Sequence, residues 1–152
     1  MVEIIRASME DIELLMAWRM EVLHEVFTLP ESYDMTALEA ENRRYYSKAL
    51  PSGEHIACFA KLGGQLVGCG GVCFQREMPS PDNPSGKCAY LMNIYTRAAF
   101  RHEGAGEAVV EWLIARAKEN GAQKIYLEAT EVGAKLYVKL GFAALDGMMK
   151  LK

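Results

Sequence analysis

The stretch from Cys88 to Thr130 constrains this chain most. An apolar, strand-like run, Cys88–Thr96, leads into a glycine-containing turn, Arg101-His102-Glu103-Gly104-Ala105-Gly106. An amphipathic helical segment follows, with Val109, Val110, Leu113, Ile114 and Ala117 on one face. Asn120-Gly121 supplies its stop. A second strand-like run, Ile125–Thr130, comes next. Strand, helix and strand in this order predict a right-handed parallel crossover.

The flanking segments predict antiparallel strands and more helices. Val2–Arg6 reads as a strand. Ser8 opens a helix, with Asp11 three residues on in a capping-box position. Ile12, Leu15, Met16, Val22, Leu23, Val26 and Phe27 recur at helical spacing until Pro30. Thr36-x-x-Glu39 reads as a second capping box, opening a helix that stops at Leu50, before Pro51. His55–Lys61 and Gln65–Arg76 read as strands joined by a Leu62-Gly63-Gly64 hairpin turn. Glu77–Lys87, with Pro79, Pro81, Pro84 and Gly86, is a loop. Gly133–Leu140 reads as a short helix ending at Gly141. Phe142–Leu145 and Met148–Lys152 flank Asp146-Gly147, a strong hairpin signal. The expected architecture is α/β (α+β): one domain over 1–152, a mixed, mostly antiparallel sheet of 6–7 strands, parallel at strands 4 and 5, with helices on both faces.

Composition removes several function classes. Seventeen Lys+Arg against twenty Asp+Glu leave a formal charge of −3, and no Lys/Arg run exists. Nucleic-acid binding depends on neutralising phosphates, so no nucleic-acid partner is expected. The longest uncharged stretch, Leu62–Gln75, has 14 residues, short of the ~20 that span a bilayer. No basic region precedes an apolar block at the start, so neither a signal peptide nor a membrane partner is expected. Cys58, Cys69, Cys73 and Cys88 form no C-x-x-C pair, and no histidine stands at ligand spacing from a cysteine pair. These features predict reduced thiols in a cytoplasmic protein without a metal site.

The glycine turn carries the chemistry. Gly104 and Gly106 let a ligand approach the main chain closely. The first N–H groups of the following helix lack internal partners, and its dipole places about half a positive charge there. Arg101 adds a full charge, so a phosphate-sized anion suits the turn. The same glycines also serve a tight strand-to-helix turn with no ligand. The chain has no G-x-x-x-x-G-K-[ST] string. G-x-G-x-x-G fails at both Gly104-Ala105-Gly106 and Gly68-Cys69-Gly70. G-x-S-x-G is absent, and His24-Glu25-Val26-Phe27-Thr28 fails H-E-x-x-H at its last position.

Arg101–Gly106 matches the R/Q-x-x-G-x-G/A signature of the GNAT superfamily of N-acetyltransferases, between the fourth strand and the third helix. Glu128–Phe142, containing Leu136-Tyr137-Val138-Lys139-Leu140-Gly141-Phe142, resembles that family's strand, short helix and L-Y-x-x-x-G-F segment. The resemblance implies acetyl-CoA as cosubstrate. It implies that the main chain of Arg101, His102, Glu103, Gly104, Ala105 and Gly106 cradles the pyrophosphate. Ile94, Tyr95 and Thr96 would hold the pantetheine arm, Thr130 would contribute to the same site, and strands 4 and 5 would splay to admit the acyl arm. Tyr137 takes the family's general-acid position; its ordinary pKa of about 10 keeps it protonated at neutral pH. Its other reading is a core tyrosine. Cys88–Thr96 holds no carboxylate, and Asn93 cannot accept a proton, so Glu128 is the remaining base. Its other reading is an exposed strand carboxylate. His102 reads as a pyrophosphate neighbour, and His24 and His55 as surface or core residues.

The acceptor is expected to be an amine of a small molecule or a peptide. Its wall would draw on Trp18, Glu21, Glu25, Phe27, Tyr33, Tyr45, Tyr46 and the Glu77–Lys87 loop, where the same residues also read as solvated charges and packing aromatics. The relatives implied are monomers or homodimers. Two other functions compete with catalysis: an acyl-CoA-binding sensor on the same scaffold, and a partner-binding domain without cofactor.

Overall fold

Five strands form one sheet in the order β1-β2-β3-β4-β5 in the computed structural model, which describes residues 1–152. They are β1 (Val2–Arg6), β2 (His55–Leu62), β3 (Gln65–Arg76), β4 (Lys87–Thr96) and β5 (Lys124–Leu127). The first four pair antiparallel, and β5 joins β4 in parallel. Helices α1 (Ile12–Val26) and α2 (Thr36–Ser52) precede β2. Helix α3 (Ala105–Glu119) makes the β4–β5 crossover, and α4 (Glu131–Lys139) follows β5.

Local chemistry accounts for most boundaries. Gly63 and Gly64 take φ of +57° and +80°, and Leu62 pairs with Gln65 across them. A two-residue turn with both φ positive matches the twist of the strands it joins. Ser8 and Asp11 form the expected capping box, around a single 3-10 turn (Met9–Asp11) that leads into α1. The expected box at Thr36 does not form. Met35 is the N-cap with no side-chain bond, and Asp34 Oδ1 takes the Thr36 N–H at 3.0 Å instead. Pro51 lies inside the last turn of α2, which runs to Ser52, two residues further than expected from the pre-proline rule, and Gly53 ends the helix at φ +78°.

Two apolar clusters sandwich the sheet. Val109, Val110, Leu113 and Ala117 of α3 meet Cys58, Ala60, Val67, Val72, Ala89 and Leu91 on one face. Leu15, Met16, Trp18 and Val22 of α1, with Tyr46 of α2, meet Ala57, Phe59 and Cys69 on the other. Small strand residues let α3 come close. A Cβ on Gly70 would lie 2.4 Å from Val109 Cγ1.

The expected strand count of 6–7 is corrected to five. Gly147 adopts φ +88° as a turn glycine should, but the segments flanking Asp146-Gly147 build no ladder. Leu145, Met148, Met149 and Leu151 stay exposed. A two-strand ribbon is stable only with a buried face, and of these segments only Phe142 is partly buried against the core. β5 ends at Leu127, shorter than the expected Ile125–Thr130, because Thr130 caps α4.

Candidate active site

β4 is the spine of the site. Its pairing with β5 runs from Cys88↔Lys124 to Leu91↔Leu127 and stops. From Met92 to Thr96 it keeps β3 on one side and has no strand on the other. Cys88, Ala89 and Leu91 are buried, whereas Met92 to Thr96 are half-buried. The two parallel strands therefore part at mid-length, leaving an open main-chain edge. Between Cys69↔Tyr95 and Gly71↔Met92, β3 advances two residues and β4 three. This bulge bends the strand, and Asn93 sits in it at φ +56°, a region asparagine enters more readily than most side chains.

The turn beyond β4 presents bare donors. The N–H groups of His102, Glu103, Gly104, Ala105, Gly106 and Glu107 find no acceptor in the chain, and α3 has no side-chain N-cap. His102 at φ +67° and Gly104 at +90° alternate with Glu103. Such alternation curls successive N–H groups into one anion-sized concavity, and the α3 dipole adds positive potential. Nothing lies within 4 Å of a Cβ built on Gly104, so this glycine is there for its backbone angle. Arg101 is exposed, and its Nε donates to Thr96 O at 3.1 Å, tying the turn to the tip of β4. Glu107, the acid in the first turn of α3, is held by Lys139 of α4 at 3.0 Å. A Cβ on Gly106 would meet Leu136 Cδ2 at 3.4 Å and Thr96 Oγ1 at 3.9 Å. Strand tip, α3 and α4 thus converge here.

Tyr137 and Glu128 line one cavity of about 720 Å³ along the free side of β5, together with Tyr90, Tyr126 and Phe142. Tyr137 is half-buried with its ring edge-on to Phe142 at 6.0 Å. Burial raises its phenol above the usual range, so it remains a proton donor. Its hydroxyl has no partner in the chain. Glu128 is exposed. Tyr90 and Tyr126 stand 5.0 Å apart on one face, and burial, with the Glu128 carboxylate beside it, raises the Tyr90 phenol. Thr130 Oγ1 accepts from Gly133 N at 3.2 Å as the cap of α4, a structural task that the sequence reading did not give it. The structure thus brings Ile94, Tyr95, Thr96 and Arg101–Gly106 together at the open end of β4. It gathers Tyr137 and Glu128 at β5.

The expected acceptor wall divides between packed and exposed residues. Trp18 and Tyr46 are buried. Tyr45 bonds His55 Nδ1 at 2.9 Å. Phe27 and Tyr33 are exposed, and His24 Nδ1 faces Leu29 O at 3.4 Å. The Glu77–Lys87 loop closes on itself through Glu77 N–Gly86 O at 2.8 Å, at the end of β4 opposite the glycine turn.

Two polar groups beside β4 escaped sequence reasoning. Arg97 holds Glu21 through two bonds of 2.9 and 3.0 Å and lies 4.2 Å from the centre of the Trp18 ring. The Arg97 bonds hold the Glu21 carboxyl below its usual range. Burial, then the Glu21 carboxylate, push the Tyr95 phenol up to about 12. Arg19 reaches Asn42 Oδ1 at 3.0 Å and Asn93 Oδ1 at 2.9 Å. The only sequence signal for Arg19 was a charge set between Trp18 and Met20.

The sequence matches the family described as "Acetyltransferase (GNAT) family" over residues 16–142. A curated relative, glucosamine 6-phosphate N-acetyltransferase 1 of Oryza sativa subsp. japonica, is 27% identical over 115 residues, 74% of this chain and 68% of that protein. A predicted acetyltransferase from Clostridium acetobutylicum, solved with acetyl-CoA, superposes with a TM-score of 0.87 at 27% identity. The match covers 100% of this chain and 96% of the other. Glucosamine-6-phosphate N-acetyltransferase from Arabidopsis thaliana shares the fold, with a TM-score of 0.74 at 20% identity over 100% of this chain and 98% of its own.

Proposed function

The chain belongs to the acetyltransferase (GNAT) family, and from that membership we propose that it transfers the acetyl group of acetyl-CoA to an amine of a small molecule by direct attack in a ternary complex. The carrying observation is the run of six unpartnered N–H groups, His102 to Glu107, beside the open edge of β4. This arrangement fits both ends of the cosubstrate. The N–H concavity suits a diphosphate. An amide-bearing arm satisfies a bare strand edge as a further strand does.

The chemistry follows from the groups present. A neutral amine attacks the thioester carbonyl, a C–N bond forms, and the oxygen becomes an oxyanion that main-chain N–H near Tyr95 stabilises. On collapse the C–S bond breaks, and the thiolate takes the Tyr137 proton. The proton lost by the amine passes through water towards Glu128, the carboxylate nearest the parting of β4 and β5. Glu128 then releases that proton, which returns through water to the Tyr137 phenolate and restores both side chains.

Calorimetry with acetyl-CoA tests the reading. Saturable binding, weakened by Arg101→Ala, is expected, followed by thiol release when amines are supplied. No binding at hundreds of micromolar overturns it. Binding with no thiol release across a broad amine panel would favour the sensor reading, which the lack of a carboxylate on β4 motivates.

A further inference from the structure

Arg43, Arg44, Arg97 and Arg116 each hold a carboxylate. Arg19 is half-buried and holds none. Two of its five N–H donors go to neutral amide oxygens, Asn42 Oδ1 at 3.0 Å and Asn93 Oδ1 at 2.9 Å, and the other three find no acceptor in the chain. A guanidinium partly withdrawn from water without a counter-charge is unfavourable, and a bidentate anion relieves that cost.

The surroundings supply no such anion. The Arg19 charge acts on Tyr46, His55 and Cys69, all neutral groups near pH 7. Glu21, on the same helix, is taken by Arg97 through two bonds. Glu25, one turn further on, is exposed. The placement is equally specific. Asn93 is the bulge residue where β4 loses its β5 neighbour, so Arg19 is tethered to the part of the strand where the acyl group is presented.

We propose that Arg19 anchors an anionic group, a carboxylate or a phosphate, on the acceptor, so that the substrate carries its amine and its anion in one small molecule. This inference rests on the acetyl-transfer reading above and narrows its substrate class. Arg19 is then a specificity residue, and Asn93 and Asn42 fix the plane of its guanidinium.

The test compares matched amines in a thiol-release assay: amino acids against their amides, and amino-sugar phosphates against the free amino sugars. The first pair reports carboxylate and the second phosphate. At least one anionic member is expected to exceed its neutral partner in kcat/KM by about tenfold or more. Arg19→Met should bring that ratio near one, Arg19→Lys should recover part of it, and the acetyl-CoA affinity should be unchanged in both. Equal rates for both members of both pairs, or a ratio that survives Arg19→Met, overturn the proposal. If no amine is turned over, acetate and inorganic phosphate are titrated into the CoA-saturated chain. Binding that Arg19→Met abolishes supports the anchor, and binding that is absent or indifferent to Arg19 refutes it. Loss of acetyl-CoA binding is a separate result that removes the enzymatic reading. The difference in anion binding between wild type and Arg19→Met, measured on the free chain, then decides the anchor.

Discussion

Gly70→Ala strikes the contact that seats α3, and with it the bare N–H groups at the start of that helix. A Cβ at position 70 would stand 2.4 Å from Val109 Cγ1 and 3.1 Å from Leu113 Cδ1. Carbon atoms rest at about 3.5–4.0 Å, so the first contact is more than about 1 Å too short. Val109 and Leu113 are both essentially unexposed. Val109 is β-branched and held near one χ1 rotamer in a helix, so it cannot swing aside. The helix must lift, or the strand must bend. Overpacking of this kind costs typically 1–3 kcal/mol, which in a chain of this size lowers Tm by roughly 2–4 °C per kcal/mol. A fall of about 4–8 °C is expected for a cost of about 2 kcal/mol. The acetyl-CoA affinity should weaken in parallel, because the N–H groups proposed to hold the diphosphate stand at the start of α3. Val109→Ala removes the clashing methyl groups. The double variant should therefore be more stable than the sum of the two singles by at least about 1 kcal/mol in a double-mutant cycle. The assay is thermal melting by circular dichroism, with calorimetric titration of acetyl-CoA. An unchanged Tm for Gly70→Ala, or strict additivity with Val109→Ala, refutes the argument that this glycine sets the height of α3.

The remaining predictions probe charge and chemistry. Tyr137→Phe should lower kcat by ~10²-fold or more with the acetyl-CoA Kd unchanged; an unaltered rate removes Tyr137 from the mechanism. Burial lowers the His55 pKa to about 4, against about 6.5 unfolded. The unfolded chain therefore binds the extra proton first, and stability falls as pH drops from about 6.5 to about 4, by ~3 kcal/mol in all. His55→Phe should flatten that part of the pH–stability curve in chemical denaturation, and a curve of unchanged slope would contradict the assignment. Glu21 is depressed mainly by its bonds to Arg97, so its contribution is present above the ordinary carboxylate range and is lost as pH falls below about 4. Arg97→Met should remove this acid-side loss and return the Glu21 carboxyl, followed by NMR titration, towards its ordinary value.

What the sequence disclosed depended on how far apart the deciding groups lie. The Gly63-Gly64 hairpin, the Ser8–Asp11 capping box and the Asn120-Gly121 stop are each settled within a few residues, and they appear where the pattern places them. The failed box at Thr36 is still a local matter: Asp34, two residues upstream, competes for the same N–H and wins. The Asp146-Gly147 turn forms without its hairpin because strand pairing needs a buried face, which turn chemistry cannot supply. The curl of the Arg101–Gly106 turn was legible because its bare donors are main-chain groups whose aim follows from two positive φ angles close together. The acceptor side could not. Its two polar pairs, Arg19 with Asn93 and Arg97 with Glu21, join residues 74 and 76 positions apart. Each exists only because α1 lies across the face of β4 at the bulge. A half-buried arginine on a helix looks the same in sequence whether its partner is a carboxylate, an amide or a substrate. Only the fold shows that Glu21 is engaged by Arg97 and that Arg19 is left facing amide oxygens. The proposed acceptor anchor therefore depends on side-chain pairings across long chain separations, whereas the proposed cosubstrate cradle is a short stretch of backbone. For this reason the cosubstrate could be inferred from a motif, whereas the proposal of an anionic acceptor needs the fold.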